Sequence, residues 1–396
     1  MPQPDEAPLT AVLLPRPGAG AAVMAAWDAG EAVAVLDPGA PAAATEGLLE
    51  VLRPTHLLDG DGRRPRVGGV PVAAGIAAVV VTSGTTAVPK GVELTSAGLG
   101  AIGRGCNAAL GVGAEHPWLC CLPLHHVAGL AILARARVCG APVLVDPGFD
   151  LDAVARAPAA RGAALVSLVP TMLKRLLDAG APVSEYRVLL LGGAPTPAAV
   201  RARADAAGAR VVDAYGMSET WGGIVLDGVP IDGVEAALAP DGEILVRGDP
   251  VMRGYRLAPD ATAAAFTADG RLRTGDVGTY DTTPNGERRL RVIDRRRDII
   301  ISGGVNVSPT EVEGVLALHP AIADVGGAGV PDDEWGERVV AFVVARDVDA
   351  LPSLAEMRAF AAERLSAPKV PRQVVTVAEI PRSPGGKVLR RLLAVP

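Results

Sequence analysis

Aromatic residues make up only 3% of this 396-residue chain, four each of Phe, Trp and Tyr. A core must therefore be assembled from Ala, Val and Leu. A hydrophobic content of 49% against 21% charged supplies enough of them for a globular protein of two or more domains. Only four cysteines occur, Cys106, Cys120, Cys121 and Cys139. No two form a C-x-x-C pair, which speaks against a zinc site, and Cys120 and Cys121 sit in an apolar run as buried thiols suited to a reducing, cytoplasmic compartment. Positive charge is not in excess: the net charge of −6 argues against nucleic acid as the main partner. The locally cationic run Arg288–Arg297 reads as a solvated strand pair. No uninterrupted apolar stretch reaches about 18 residues, so no membrane-spanning helix is expected. Met1–Pro8 is acidic and Pro-rich, unlike a signal peptide. No internal repeat is present.

What the chain does have is Ala78–Gly91, Ala-Val-Val-Val-Thr-Ser-Gly-Thr-Thr-Ala-Val-Pro-Lys-Gly. Val79–Val81 is a short β-branched run, enough for a buried strand. Thr82, Ser83, Gly84, Thr85 and Thr86 then offer hydroxyls and backbone N–H groups, and Lys90 offers an ammonium, a set suited to phosphate. A polar turn between strands is the plain alternative for such a cluster. A Walker loop is excluded, because Lys90 follows Pro89 and no Ser or Thr follows it.

The full order of Thr82–Gly91 resembles the phosphate-binding signature of the adenylate-forming superfamily: acyl-CoA synthetases, aryl-CoA ligases and peptide-synthetase adenylation domains. Ala87 departs from it, standing where the family has glycine. Further motifs follow in family order. Pro123-Leu124-His125-His126-Val127-Ala128-Gly129-Leu130 resembles the family's segment beside the acyl pocket, which gives His126 to the acid together with Pro170, Gly192 and Met217. By their own residues, His125 and His126 also read as a helix cap or a core pair. The strand Val188–Leu191 runs into Gly192-Gly193-Ala194-Pro195, a glycine turn before a helix, at a strand end where open sheets bind ligands. Arg210–Ala214 leads to Tyr215-Gly216-Met217-Ser218-Glu219-Thr220. By the resemblance, Gly193, Ala194, Asp213, Ala214, Tyr215 and Gly216 border the nucleotide, Ser218 meets phosphate and Glu219 takes the magnesium ion. A second glycine pattern, Gly98-x-Gly100-x-x-Gly103, is formally a dinucleotide fingerprint. It begins several residues past its strand and lacks the ribose-binding acid, so its glycines are expected to pack helices.

From Gly233 the pattern turns to short alternating strands, Gly242–Gly248, Arg271–Thr274 and Arg289–Ile293, with hairpin turns between. Thr274-Gly275-Asp276 there is expected to expose one carboxylate, which by resemblance takes both ribose hydroxyls beside Arg295. Asp294 replaces a family glycine and Arg297 sits at the hinge position. The remainder reads as mixed α and β: helix Thr310–Leu318, strand Val339–Val344, helix Leu354–Leu365 and strand Gln373–Val377. Its tail, Pro381–Arg391, matches the family's catalytic lysine at Lys387. Ser302, Gly303 and Gly304 are implied to line the coenzyme A (CoA) tunnel, with Trp335 and Lys369 as weaker candidates for the CoA base and phosphates, where packing or a solvated surface serves equally well.

The fold implied is α/β: a large N-terminal domain, 1–294, of layered subdomains with a small β-barrel-like part at about 233–294, then a small mobile α+β domain, 295–396. The activity implied is ATP- and Mg²⁺-dependent adenylation of a small-molecule carboxylic acid followed by thioester formation with CoA, the two steps served by alternation of the domains. The compact length, Leu122–Leu130 and Leu165–Met172 most resemble the members that act on 2-succinylbenzoate for menaquinone synthesis. Other aryl or fatty acids, an amino-acid-activating domain and an inactive nucleotide-binding homologue stand as alternatives, and a homo-oligomer is left open. If the family glycine uses positive φ, Ala87 carries strain, and if it only allows close approach, one methyl is tolerated; in either case Ala87→Gly should leave turnover at or above that of the parent chain. Initial rates of ATP consumption measured side by side check this, and a large loss would mean the loop departs from the family's.

Overall fold

The alternation of β-branched runs with Ala-rich segments folds into two seven-stranded sheets. The computed structural model describes residues 5–82, 89–347, 352–382 and 388–395. Its contacts divide the chain into two units: Met1–Gly193 with Ala202–Ala236 and Leu245–Arg273, and Ala194–Arg201 with Ala237–Ile244 and Thr274–Pro396.

Both large sheets belong to the first unit. One has the strand order Gly254–Tyr255, Lys90–Thr95, Ile76–Thr82, Ala32–Val35, Leu9–Val12, His56–Asp59, Gly62–Pro65. The other runs Val143–Val145, Trp118–Cys120, Leu165–Leu168, Val188–Leu191, Val211–Met217, Gly222–Leu226, Val229–Pro230, and its first five strands are parallel. Leu165–Leu168 and Val188–Leu191 are buried throughout, as expected of parallel strands covered on both faces. The strand Trp118–Cys120 ends where the next carbonyl, that of Cys121, accepts from Arg16 Nη1 at 2.9 Å.

Helices Arg16–Asp28 and Ser96–Leu110 each touch strands of both sheets, and Val127–Cys139 packs on those two helices and on the second sheet. The last is buried at every position from Gly129 to Ala136, so it carries no amphipathic stripe. Gly129 must be glycine: a Cβ there would lie 2.3 Å from the Pro123 carbonyl oxygen. Thr95 caps Ser96–Leu110, its Oγ1 accepting from the Gly98 N–H at 2.9 Å. Such a cap contributes about 1 kcal/mol. The glycines of this helix pack as expected: a Cβ on Gly98 would meet Trp221 at 2.8 Å, and one on Gly103 would meet Val138 at 2.5 Å. Cys106, Cys120 and Cys121 are buried free thiols, and burial pushes Cys120 and Cys121 up to about 12.

The expected antiparallel region is a four-stranded sheet, Glu235–Leu238, Glu243–Arg247, Leu272–Thr282, Arg288–Arg295, the last two longer and Glu243–Arg247 shorter than the sequence suggested. The C-terminal part holds a five-stranded sheet in which Gly336–Ala345 pairs with Ile322–Asp332 and Gln373–Thr376. Residues alternate across it: Val339, Ala341 and Val343 pack with Val312, Leu316 and Met357 of two helices, while Val340 and Phe342 pack with Val375 and Ile380. The strand Ile322–Asp332 escapes the sequence reading because Gly326, Gly327 and Gly329 interrupt its pattern. They are there for close packing: a Cβ on Gly327 would sit 3.1 Å from Pro309, and one on Gly329 would sit 3.0 Å from Ile300.

A buried ion pair fastens the chain end to this sheet. Arg390 meets Glu313, and it also donates to the Gly327 carbonyl at 2.8 Å and to Thr310 Oγ1 at 3.1 Å. Glu313 in turn accepts from the Gly327 N–H at 2.7 Å. Both side chains are only 14% exposed. Removing one partner strands a buried charge, so Arg390→Met should destabilise the C-terminal unit by about 3 kcal/mol. The double change with Glu313→Leu should recover most of that. Urea unfolding of the three chains provides the check, and a single variant within about 0.5 kcal/mol of the parent would contradict it.

Candidate active site

In an open α/β sheet a crevice forms at the carboxyl ends of strands where the winding direction reverses. In the second sheet this point lies between Trp118–Cys120 and Leu165–Leu168, since the chain goes outward from the former to Val143–Val145 and then crosses to the latter. The loops beyond these two strands carry His125, His126 and Pro170. His126 precedes helix Val127–Cys139 without capping it through its ring, and Pro170 opens helix Pro170–Asp178. The His125 and His126 rings stand 4.5 Å apart, edge to face. His126 keeps an edge open to solvent, yet the protein packed around the ring, and then His125, hold its pKa below the ordinary histidine value. Burial does the same for His125. At neutral pH His126 thus offers an imidazole N–H rather than a cation. His125 turns into a cleft of about 240 Å³ with Arg16, Leu36 and Leu124.

The glycine turn comes next in the sheet. The Gly192 N–H donates to the Leu168 carbonyl at 3.1 Å, and Gly193 has φ +82°. A Cβ on Gly192 would lie 3.4 Å from the Ala214 carbonyl, and one on Gly193 would lie 3.5 Å from Val169. Pro170, Gly192, Gly193 and Ala214 are thereby drawn together, with Ala194 continuing the turn. The Asp213 N–H donates to Asp227 at 2.9 Å.

The strand Val211–Met217 extends through the Tyr215 motif, with a bulge after Tyr215. Gly216 admits no side chain: its Cβ would stand 1.7 Å from the Gly222 carbonyl oxygen. Ser218–Thr220 is one 3₁₀ turn, closed by the Met217 N–H donating to Thr220 Oγ1 at 3.0 Å and by Thr220 donating to the Gly222 carbonyl at 2.8 Å. Trp221, at φ +55°, follows and donates through Nε1 to the Thr95 carbonyl at 3.0 Å. This turn holds the Glu219 side chain 7% exposed. The Tyr255 hydroxyl donates to Glu219 Oε1 at 2.9 Å, while Lys90 Nζ lies 5.0 Å from the centre of the Tyr255 ring. Burial, and then the Glu219 charge, hold the Tyr255 phenol far above its ordinary pKa, so it remains a donor. Among the described residues no group of three His, Cys, Asp or Glu side chains can enclose a metal by itself. A single carboxylate with one oxygen uncommitted to Tyr255 fits Mg²⁺, which takes few protein ligands and completes its shell with phosphate oxygens and water. Thr82 ends its strand opposite Lys90. Ser83, Gly84, Thr85, Thr86, Ala87 and Lys387 lie outside the described residues.

The second unit carries its own set. Asp276, expected to be exposed, is buried at 4% and pairs with Arg295 Nε at 2.8 Å. The reason is the local framework: Thr274 Oγ1 donates to the Ile244 carbonyl at 2.7 Å and accepts from the Asp276 N–H at 3.1 Å. Gly275, at φ +69°, donates to Glu243 at 3.1 Å, and Glu243 pairs with Arg296 at 3.1 Å. Asp294, the departure from the family glycine, accepts from Ser308 Oγ at 2.8 Å and from the Thr310 N–H at 3.0 Å, tying its strand to the start of helix Pro309–Leu316. Ser302 is fully buried with an unpartnered Oγ, beside Gly303 at φ +57° and Gly304 at φ +76°. A Cβ on Gly303 would meet the Trp335 ring at 2.8 Å. Arg372 covers one face of Trp335 at 3.5 Å, and Lys369 is paired with Glu311 at 2.7 Å. Packing and surface pairing thus account for both.

Residues 69–256 match the family described as AMP-binding enzyme, and residues 311–387 match its C-terminal domain. A protein of Mycobacterium tuberculosis (strain H37Rv) named "Probable 2-succinylbenzoate--CoA ligase" is 37% identical over 369 residues, 90% of this chain and 91% of that one. The chain belongs to the AMP-binding enzyme family. The 2-succinylbenzoate–CoA ligase of Bacillus cereus (strain Q1) is also 37% identical, over 80% of this AMP-binding enzyme and 69% of its own length. The o-succinylbenzoate CoA synthetase of Bacillus subtilis, solved with its acyl-adenylate intermediate, superposes with a TM-score of 0.84 at 28% identity, over 98% of this chain and 88% of that one. The layered α/β fold with N- and C-terminal domains is therefore that of the family.

Tyr255, in contact with Glu219 and Lys90, and Arg256, beside Glu93, are residues of this AMP-binding enzyme that the sequence reading did not mark. Tyr255 sits on a two-residue strand, too short to announce itself, and only the scarcity of tyrosine hinted at it. Because a Cβ on Gly216 would stand 1.7 Å from the Gly222 carbonyl oxygen, Gly216→Ala should displace the Tyr215–Thr220 turn and weaken AMP binding at least about 10²-fold. Gly304→Ala, where a Cβ meets nothing within 4 Å, should cost only about 1 kcal/mol of backbone strain and leave AMP affinity nearly unchanged. Calorimetric titration of both variants with AMP is the check.

Proposed function

We propose that this chain joins 2-succinylbenzoate to CoA in two half-reactions. A carboxylate oxygen of the acid attacks the α-phosphorus of ATP, and pyrophosphate leaves. The CoA thiol then attacks the acyl carbon, giving the thioester, AMP and a proton. The observation that carries the acid assignment is the 37% identity that runs through nine-tenths of both this chain and a relative bearing that name.

Adenylation needs positioning and charge stabilisation rather than a protein nucleophile. In this reading Gly193, Ala194, Asp213, Ala214, Tyr215 and Gly216 hold the nucleotide. Asp276 accepts the ribose hydroxyls, with Arg295 fixing its carboxylate. Thr82, Ser83, Gly84, Thr85, Thr86 and Lys90 bind the phosphates, and Ser218 meets the α-phosphate. Magnesium, held through Glu219, supplies neutralisation of the triphosphate. Lys387 stabilises the charge that builds on the α-phosphate in the first half-reaction. His126, Pro170, Gly192 and Met217 line the acid. The second carboxylate of 2-succinylbenzoate is met by a neutral His126 N–H, in line with the lowered pKa of that ring. Ser302, Gly303 and Gly304 serve CoA in the second half-reaction, with Trp335 and Lys369 in supporting places. The working parts are 1–294 and 295–396. No helix among the described residues is long and apolar enough to cross a membrane, and the cytoplasm, where ATP and CoA are found, is the proposed site of action.

Nucleotide products measured with acid and CoA present test the reading. AMP and pyrophosphate are expected, and ADP with inorganic phosphate would overturn adenylation. In the same assay, kcat/KM for 2-succinylbenzoate should exceed that for benzoate or octanoate at least about 10²-fold, since a pocket that pairs a polar group rejects analogues lacking it. Comparable values for octanoate would replace the acid assignment with a fatty acid.

A further inference from the structure

Lys90 and Glu219 carry opposite charges, and both touch the same residue. The Tyr255 hydroxyl donates to Glu219 Oε1 at 2.9 Å, and the Tyr255 ring faces Lys90 Nζ at 5.0 Å. Among the described residues neither Lys90 nor Glu219 is in an ion pair. Tyr255 engages both of them: its ring attracts the cation through the π face, and its hydroxyl holds the anion. Without that residue, an ammonium and a buried carboxylate that share one neighbour attract each other.

The ring is fixed from both sides. Tyr255 pairs with Val92 in the ladder to Lys90–Thr95, and its N–H donates to Thr262 Oγ1 at 2.8 Å. The next residue, Arg256, is 5% exposed and its guanidinium is surrounded by the carbonyls of Leu52, Arg53, Val70 and Pro71, with Glu93 at 3.2 Å. These contacts fix the backbone from which the Tyr255 ring extends, and the hydrogen bond to Glu219 holds its far end.

We propose that Tyr255 is a positioning residue that keeps Lys90 and Glu219 apart, so that the ammonium meets the phosphates of ATP and the carboxylate meets the metal instead of each other. Its two halves act separately: the hydroxyl aims Glu219, and the ring reserves Lys90. The inference rests on the adenylation reading of this site.

The test is ATP binding by the full chain, titrated calorimetrically with Mn²⁺ present and again with EDTA, with bound Mn²⁺ followed by electron paramagnetic resonance. Tyr255→Phe keeps the ring, so metal-free affinity should stay within about twofold while the gain from Mn²⁺ falls about tenfold, the scale of a lost hydrogen bond to a charged group. Tyr255→Leu removes both halves, and metal-free affinity should also fall about tenfold as Lys90 closes on Glu219. Adding Glu219→Gln to Tyr255→Leu should restore metal-free affinity, because Lys90 then has no carboxylate to pair with. A purely structural role would show no such rescue. An undiminished Mn²⁺ gain in Tyr255→Phe, or failure of the double variant to recover, overturns the inference. Absence of ATP binding by the parent chain would instead overturn the adenylation reading itself.

Discussion

The indole of Trp221 ties the two large sheets together. It stands immediately before the strand Gly222–Leu226 of one sheet and donates its N–H to the Thr95 carbonyl at the end of a strand of the other. Its ring meets the edge of Trp27 at 6.0 Å, and Trp27 in turn donates to the Ala77 carbonyl at 3.0 Å. In a chain so poor in aromatics, two of the four tryptophans are used at this one junction. Trp221 is fully buried, and an apolar payload of that size outweighs any single hydrogen bond around it. Ser218 and Glu219 are the residues just before it. The same contact that joins the sheets therefore fixes the turn on which the Glu219 carboxylate is presented.

Much of this was legible in the sequence. Val79–Val81, ended by Thr82, and Val188–Leu191, ended by Gly192, are short apolar runs, and each lies in a buried strand. The glycines of Gly98–Gly103 were readable as packing residues because their spacing was wrong for a dinucleotide loop. The order of the motifs gave the family, and the strand ends gave the crevice. The features that were not legible depend on partners distant in the chain. Asp276 looks exposed in a Thr-Gly-Asp turn, and its burial follows from Glu243 and Ile244 on another strand. Asp294 looked like a loss of a glycine, but its carboxylate has a partner in Ser308. Tyr255 lies in no periodic segment, and its meaning appears only when Lys90 is found over its ring and Glu219 at its hydroxyl. Gly326, Gly327 and Gly329 concealed a long strand because their reason for being glycine is the approach of Pro309, Ile300 and Leu393.

The burial of the thiols bears on the company this protein keeps. An enzyme that handles CoA works amid millimolar-scale thiols and their disulfides, and any reactive cysteine of its own would exchange with them. Only the thiolate exchanges. Cys120 and Cys121, buried and pushed up to about 12, stay as thiols at neutral pH. Cys106 is raised by the same burial, and Cys139, half-buried, spends its S–H on the Arg135 carbonyl at 3.3 Å. Three of the four thiols are thereby held back from mixed-disulfide formation with CoA.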